Sequence, residues 1–217
     1  MALLHALSLQ AEAMRSDWWV FIFAGAFVWL VVVGLIVFAS IRWRARPGNE
    51  QPPQFSSNAP VEILTVVIPL LMVAGLFLYS NRAEYVVDAL AASPAAKIDV
   101  TAFRWSWEFA YEGTPVVVYG TPQSPPTLYL PVNRTVQVDL RSDDVTHSFW
   151  VPALLFKRDA IPGLVNRFDI SPTRLGNYPG RCAQFCGLEH ALMTFTVRVV
   201  PDAAYDRYLA SDGATPP

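Results

Sequence analysis

The stretch Arg181-Cys182-Ala183-Gln184-Phe185-Cys186-Gly187-Leu188-Glu189-His190-Ala191-Leu192-Met193 holds both cysteines of a 217-residue chain, one of its three histidines and one of its four methionines. The spacing is C-x3-C-x3-H-x2-M. A second histidine, His147, lies 35 residues before Cys182, at the end of a predicted strand within Asp143-Asp144-Val145-Thr146-His147-Ser148. The third, His5, is near the N-terminus. Thiolate, imidazole and thioether together favour copper, because thioether is a soft ligand that zinc seldom takes. A mononuclear blue-copper site uses two His, one Cys and a weak axial Met, so this segment holds one Cys too many. Two thiolates can instead bridge two ions, leaving each one terminal His and one weak ligand. A Cys182–Cys186 disulfide or a Cys2His2 zinc site uses some of the same residues. Neither gives Met193 a role.

Around this segment, residues 83–217 alternate apolar and polar positions. Val136, Val138 and Leu140 interleave with Gln137 and Asp139, and Phe195, Val197 and Val199 with Thr196 and Arg198. Period-two patterning predicts strands. Breakers at Gly113-Thr114-Pro115, 120–126, Asn133, Pro162-Gly163 and Pro179-Gly180 cut the region into short segments. An antiparallel sandwich or barrel is expected, with one terminal helix over Ala203 to Ala210. Residues 83–217 carry 14 Asp and Glu against 11 Lys and Arg, a balance of −3. Asp139, Asp143 and Asp144 are the local cluster that could steer a basic partner, unless they are simply solvated loop charges.

The first 82 residues read differently. Trp18 to Ile41 is a run of 24 residues without a charge, about 36 Å as a helix and long enough for a bilayer core of about 30 Å. Ile63 to Asn81 is a second uncharged run, of 19 residues, in which Pro69 should bend the helix or open one backbone bond. Two such runs predict a transmembrane helical hairpin, 1–82, joined to the β domain at 83. A cleaved signal peptide fits poorly, since 1–10 has no Lys or Arg. Arg42, Arg44 and Arg46 place the connection between the helices in the cytoplasm and both termini on the other side. Charged residues make up 16% of the whole chain, against about 25% in soluble domains, and the mean hydropathy is +0.31. A net charge of −2 gives no basis for nucleic-acid binding. No C-x-x-C-H occurs, so no haem is expected in this chain.

Taken together, these motifs resemble subunit II of haem-copper cytochrome c oxidases over nearly the whole chain. The resemblance is carried by the cysteine segment with Tyr178-Pro179-Gly180 before it, by Glu62 and Pro69 in the second helix, and by Phe103-Arg104-Trp105-Ser106-Trp107-Glu108-Phe109. It also rests on Asp144-Val145-Thr146-His147-Ser148 and Lys157-Arg158-Asp159-Ala160-Ile161-Pro162-Gly163. It implies two transmembrane α-helices plus an all-β, cupredoxin-like Greek-key barrel on the extracytoplasmic side of a bacterial-type cell membrane.

In that family the external domain holds the dinuclear copper centre CuA. By position, Cys182 and Cys186 resemble the bridging thiolates, His147 and His190 the terminal imidazoles, Met193 the weak ligand of one copper, and the Gln184 backbone carbonyl that of the other. The family usually has Glu at the Gln184 position, where its side chain also ligates magnesium. Neutral Gln is a poorer partner for a hard cation, and magnesium is not expected here. Glu62 matches a carboxylate at the mouth of a proton channel; read alone, it is equally an acid favoured in a helix first turn. Aligned without gaps, the Trp through which the family accepts electrons falls at Phe103, with Trp105 and Trp107 following on the same strand. Either Phe103 or Trp105 takes that role, or alternate aromatics fill the core. The implied partners are cytochrome c as donor, subunit I with its haems and CuB, other oxidase subunits and membrane lipid; the implied reaction is oxygen reduction coupled to proton translocation. A quinol-oxidase subunit would lack the copper ligands, a membrane-anchored copper chaperone would carry its His far downstream, and a nitric oxide reductase with a similar copper subunit has the same residues.

Overall fold

The computed structural model describes residues 6–44 and 56–217. His5, Arg46 and most of the polar connection from Pro47 lie outside the described residues. Two compact units emerge, one of residues 16–82 and one of residues 6–15 with 83–217.

The helical unit carries most of α1 (Leu9–Arg42) and α2 (Ala59–Asp88). Both are long and apolar enough to cross a membrane. Each runs past the uncharged stretch that announced it. Ala11-Glu12-Ala13-Met14-Arg15 are good helix formers, so α1 starts early, with the Ser8 hydroxyl accepting from the Ala11 amide at 3.1 Å as its cap. At the start of α2, Asn58 Oδ1 accepts from the Val61 amide at 3.5 Å while the Asn58 amide donates to Glu62 Oε1 at 2.9 Å, a reciprocal cap. The helix continues through Pro69. Polar groups hold the two helices together at one end: Ser80 Oγ donates to Asp17 Oδ2 at 2.7 Å, and the Ser16 and Tyr79 hydroxyls are 2.9 Å apart.

In the other unit ten strands form two five-stranded sheets. The strands are β1 (Ala96–Phe103), β2 (Ser106–Tyr111), β3 (Val117–Tyr119), β4 (Thr127–Pro131), β5 (Val136–Ser142), β6 (His147–Val151), β7 (Phe156–Ala160), β8 (Asn166–Ile170), β9 (Gly176–Cys182) and β10 (Thr194–Val200). One sheet runs β3-β2-β1-β5-β8 and the other β4-β10-β9-β6-β7. The alternation noted in β5 and β10 points Val136, Val138, Leu140, Phe195, Val197 and Val199 into a common core with Trp107, Phe109, Phe149 and Phe168. Burying these side chains contributes roughly 1.5–3 kcal/mol each.

Four sequence readings are corrected here. The sheets are not purely antiparallel: β1 pairs β5 and β4 pairs β10 in parallel, because the chain crosses over between them in Greek-key fashion. Phe103, Trp105 and Trp107 are not on one strand. The β1–β2 hairpin turns at Arg104-Trp105, with Phe103 opposite Ser106, and the aromatic alternation running through the turn hides it. Pro179-Gly180 does not break the chain but lies inside β9, and His147 opens a strand rather than ending one.

Residues 6–15, expected to go with the helices, belong to the β unit. Leu7 is buried, its amide donates to Ala153 O at 3.2 Å, and its carbonyl accepts from the Thr173 amide at 2.8 Å. The terminal helix α3 (Asp202–Ala210) packs Tyr205 and Tyr208 against the sandwich, as its pattern predicted.

Candidate metal centre

Three neighbouring backbone segments build the site. His147 is the first residue of β6, and Cys182 is the last of the adjacent strand β9, with Phe149 opposite Cys182. Met193 directly precedes β10. The β9–β10 connection is closed at its base by the Cys182 amide donating to Met193 O at 2.9 Å, and pinned to β6 by the Ala183 amide donating to Ser148 O at 3.0 Å. The cysteine segment is therefore a loop held at both ends by sheet.

Within it Cys182 Sγ and Cys186 Sγ face each other at 3.8 Å and are not bonded. His147 Nδ1 lies 3.9 Å from Cys182 Sγ, and His190 Nδ1 3.5 Å from Cys186 Sγ. Met193 Sδ is 3.7 Å from Cys186 Sγ, and Gln184 O is 3.1 Å from Cys182 Sγ. All six residues singled out in the sequence thus converge, with the two sulfurs in the middle, an imidazole nitrogen beside each, and a thioether and a carbonyl as further donors. His147, Cys182, Cys186 and Met193 are buried, while His190 is half-buried. His147, Cys182 and Cys186 alone offer ligand atoms within 4.8 Å of one another. This donor chemistry fits copper.

Electrostatics favour an ionised sulfur. Burial alone would raise the Cys182 thiol, but the hydrogen bond with His147 and backbone groups outweigh it and bring it to about 6. Cys186 is pushed up to about 12 by burial and by the charge on Cys182. Ionising one sulfur thus hinders ionisation of the other. Burial lowers the His147 imidazole, yet its bonds to Cys182 and Asp144 raise it overall.

In the sequence Asp144 stands out as a possible steering charge and as part of the segment that ends in His147 and Ser148. Its Oδ1 is 2.8 Å from His147 Nε2, and its Oδ2 accepts from Arg104 N at 2.8 Å and Arg104 Nε at 3.1 Å. Burial would raise the Asp144 carboxyl, but the bonds from His147, Val145 and Arg104 prevail and hold it at about 2. Of the three acids weighed as a steering cluster, Asp144 is held by these bonds and Asp139 is paired with Arg167 at 2.5 Å, while Asp143 is exposed. The one sequence signal for Asp144 was its place three residues before the proposed ligand His147.

The aromatic residues separate by role. Trp107 is fully buried, with its ring 6.4 Å from that of His147 and 5.2 Å from that of Phe195. Trp105, at the hairpin tip, donates from Nε1 to Cys186 O at 3.1 Å. Gly187 beneath it has φ +125, and a Cβ there would come within 3.0 Å of Trp105 Nε1, so the close approach of indole and loop requires glycine. Phe103 is half-buried at the end of β1, and among the described residues it makes no hydrogen bond or ring contact with the cysteine loop. Glu62 lies in the other unit, exposed, engaged in the α2 cap and beside a shallow pocket lined by Ala59, Ile63, Val66 and Val67.

Sequence comparison agrees with this geometry. The family described as cytochrome C oxidase subunit II, periplasmic domain, matches residues 123–200. A Streptomyces avermitilis protein named "Probable cytochrome c oxidase subunit 2" is 36% identical over 90% of this chain and 72% of its own length. The chain belongs to the cytochrome c oxidase subunit II family. The Corynebacterium glutamicum cytochrome c oxidase subunit 2 is 30% identical over 95% of this chain and 74% of its own length. Among solved structures, the periplasmic domain of subunit II of cytochrome oxidase from Bradyrhizobium japonicum superposes with a TM-score of 0.51 at 26% identity, covering 57% of this chain and 96% of that one. As a family member this chain is a subunit of an oxidoreductase, and the expected architecture of two apolar helices with a cupredoxin-like β domain holds.

Proposed function

We propose that this subunit accepts electrons from cytochrome c at a dinuclear CuA centre and passes them to haem in subunit I, where oxygen is reduced to water with proton translocation. The observation that carries the reading is the pair of unbonded sulfurs 3.8 Å apart, each with an imidazole nitrogen beside it. Cys182 and Cys186 would bridge, His147 and His190 would be terminal ligands, and Met193 and the Gln184 carbonyl the weak ones. A copper pair bound there takes up and releases one electron at a time.

The chain's own contribution is to hold these donors before any ion arrives and to exclude water, since four of the six residues are buried. Preformed donors with little solvent around them need little rearrangement on electron transfer. Trp105, hydrogen-bonded to the cysteine loop, is the residue through which we expect the electron to arrive; Phe103 has no comparable contact. Gln184 offers a carbonyl and no carboxylate, so no magnesium is expected at its side chain. Stoichiometric magnesium or manganese held by Gln184 in the purified complex would overturn that. The chain is anchored in the cell membrane by α1 and α2, with the β domain and both termini outside and Glu62 near the cytoplasmic face, where it admits protons to subunit I.

The test is rapid mixing of the purified oxidase complex with reduced cytochrome c. Cytochrome oxidation should be fast in the wild type and abolished in Cys186→Ser. Unchanged electron uptake in that variant would refute the reading.

A further inference from the structure

We propose that Asp144 is a positioning residue for the copper centre: its two carboxylate oxygens hold the His147 ring and the Arg104-Trp105 hairpin tip in one arrangement. This inference rests on the copper-binding reading above. An ionised carboxylate can only accept hydrogen bonds, and this one faces His147 Nε2 at 2.8 Å, the Val145 amide at 2.6 Å, Arg104 N at 2.8 Å and Arg104 Nε at 3.1 Å. The proton on His147 must therefore sit on Nε2. That leaves Nδ1, the nitrogen 3.9 Å from Cys182 Sγ, facing the site, where a metal ion would take the place of the proton it shares with that sulfur. His147 is fully buried, so the carboxylate is what fixes its Nε2 proton and ring angle.

The other oxygen does related work. Arg104 precedes Trp105, whose indole donates to Cys186 O at 3.1 Å. A closed circuit results, from Asp144 through His147 and Cys182 to Cys186, and back through Trp105 and Arg104. The two ends of the site differ in this respect. His190 is half-buried and has the Phe185 ring 5.8 Å away, with no carboxylate bond observed among the described residues.

The experiment uses the full chain in detergent with Asp144→Ala and Asp144→Asn. In the copper-free protein, nitrogen-15 histidine spectra should show a His147 Nε2–H proton protected from exchange in the wild type and in Asp144→Asn, whose amide oxygen still accepts. In Asp144→Ala that proton and the Arg104 amide should both exchange faster with deuterium. Copper affinity should fall about 10–100-fold in Asp144→Ala, the usual cost of losing such a partner, and less in Asp144→Asn. The reduction potential should rise in Asp144→Asn, because a negative charge that favoured the oxidised ions is gone. Wild-type protection of that Nε2 proton together with wild-type affinity in Asp144→Ala would overturn the proposal. Should that variant fail to fold, Asp144→Asn decides, and an unchanged potential overturns it. If the wild type itself bound no copper, the copper reading would fail, while the exchange comparison would still judge Asp144.

Discussion

Replacing Gly180 with alanine should be far more damaging than a one-carbon change suggests. A Cβ built on Gly180 would lie 2.3 Å from the Phe195 ring, its cross-strand partner, whereas carbon atoms rest about 3.5–4.0 Å apart. One of them must yield by more than about 1 Å. Phe195 has nowhere to go. Its ring is already 4.7 Å from Phe149, 5.2 Å from Trp107 and 5.7 Å from Phe109, centroid to centroid, and all four side chains are buried. The backbone of β9 would have to move outward instead, and Cys182 lies only two residues along it. Overpacking of this kind costs typically 1–3 kcal/mol, which for a chain of this size lowers the melting temperature by roughly 2–12 °C. Thermal unfolding of the copper-free chain, followed by tryptophan fluorescence, measures that cost, and copper titration reads the displacement of Cys182. Gly163→Ala is the control: that glycine has φ +78 but open space around its Cβ position, so only backbone strain of about 1 kcal/mol applies. Wild-type stability and copper binding in Gly180→Ala would show that the core is looser than these distances imply, and would refute the argument.

Met193→Leu removes the thioether 3.7 Å from Cys186 Sγ while keeping a buried side chain of similar volume, so stability should change by less than about 1.5 kcal/mol. Copper should still bind as a pair, with a shifted visible spectrum; an unchanged spectrum would remove Met193 from the ligand set. Glu62→Gln keeps a side-chain oxygen for the α2 cap but no charge, so helix content by circular dichroism should hold while oxidase turnover falls; unchanged turnover at every pH would leave Glu62 only its capping role. Burial raises Tyr111 well above its ordinary range, raises Tyr205, and pushes Tyr208 up to about 12, so the folded state keeps these phenols protonated. In the unfolded chain they ionise near about 10. Their contribution to stability is therefore complete below that pH and lost as pH rises through the folded-state values. Absorbance at 295 nm should leave three of the eight tyrosines un-ionised until the fold is lost, and ionisation of all eight near pH 10 in the intact protein would contradict the packing of α3.

The cluster of donor residues was legible in the sequence because almost every soft donor of the β domain falls in one short segment, and only His147 had to be brought from elsewhere. The helices were legible because a charge-free run of bilayer length has few other uses. What escaped was decided by tertiary contact. Pro179-Gly180 reads locally as a turn, yet Gly180 sits mid-strand because the Phe195 ring occupies the space of its side chain. The hairpin at Arg104-Trp105 carries no Gly, Pro or Asn, and is held instead by a carboxylate 40 residues away, Asp144. Leu7 and Gln10 carry no strand or core pattern of their own, but the Ser171 amide donates to Gln10 Oε1 at 3.2 Å, a partner 161 residues on.

The central claim is that Cys182 and Cys186 hold two copper ions between them. Electron paramagnetic resonance of the copper-loaded full chain, with copper counted per chain, tests it most directly. The account predicts two coppers per chain and a seven-line pattern from one unpaired electron shared equally by both nuclei; one copper with a four-line pattern would contradict it.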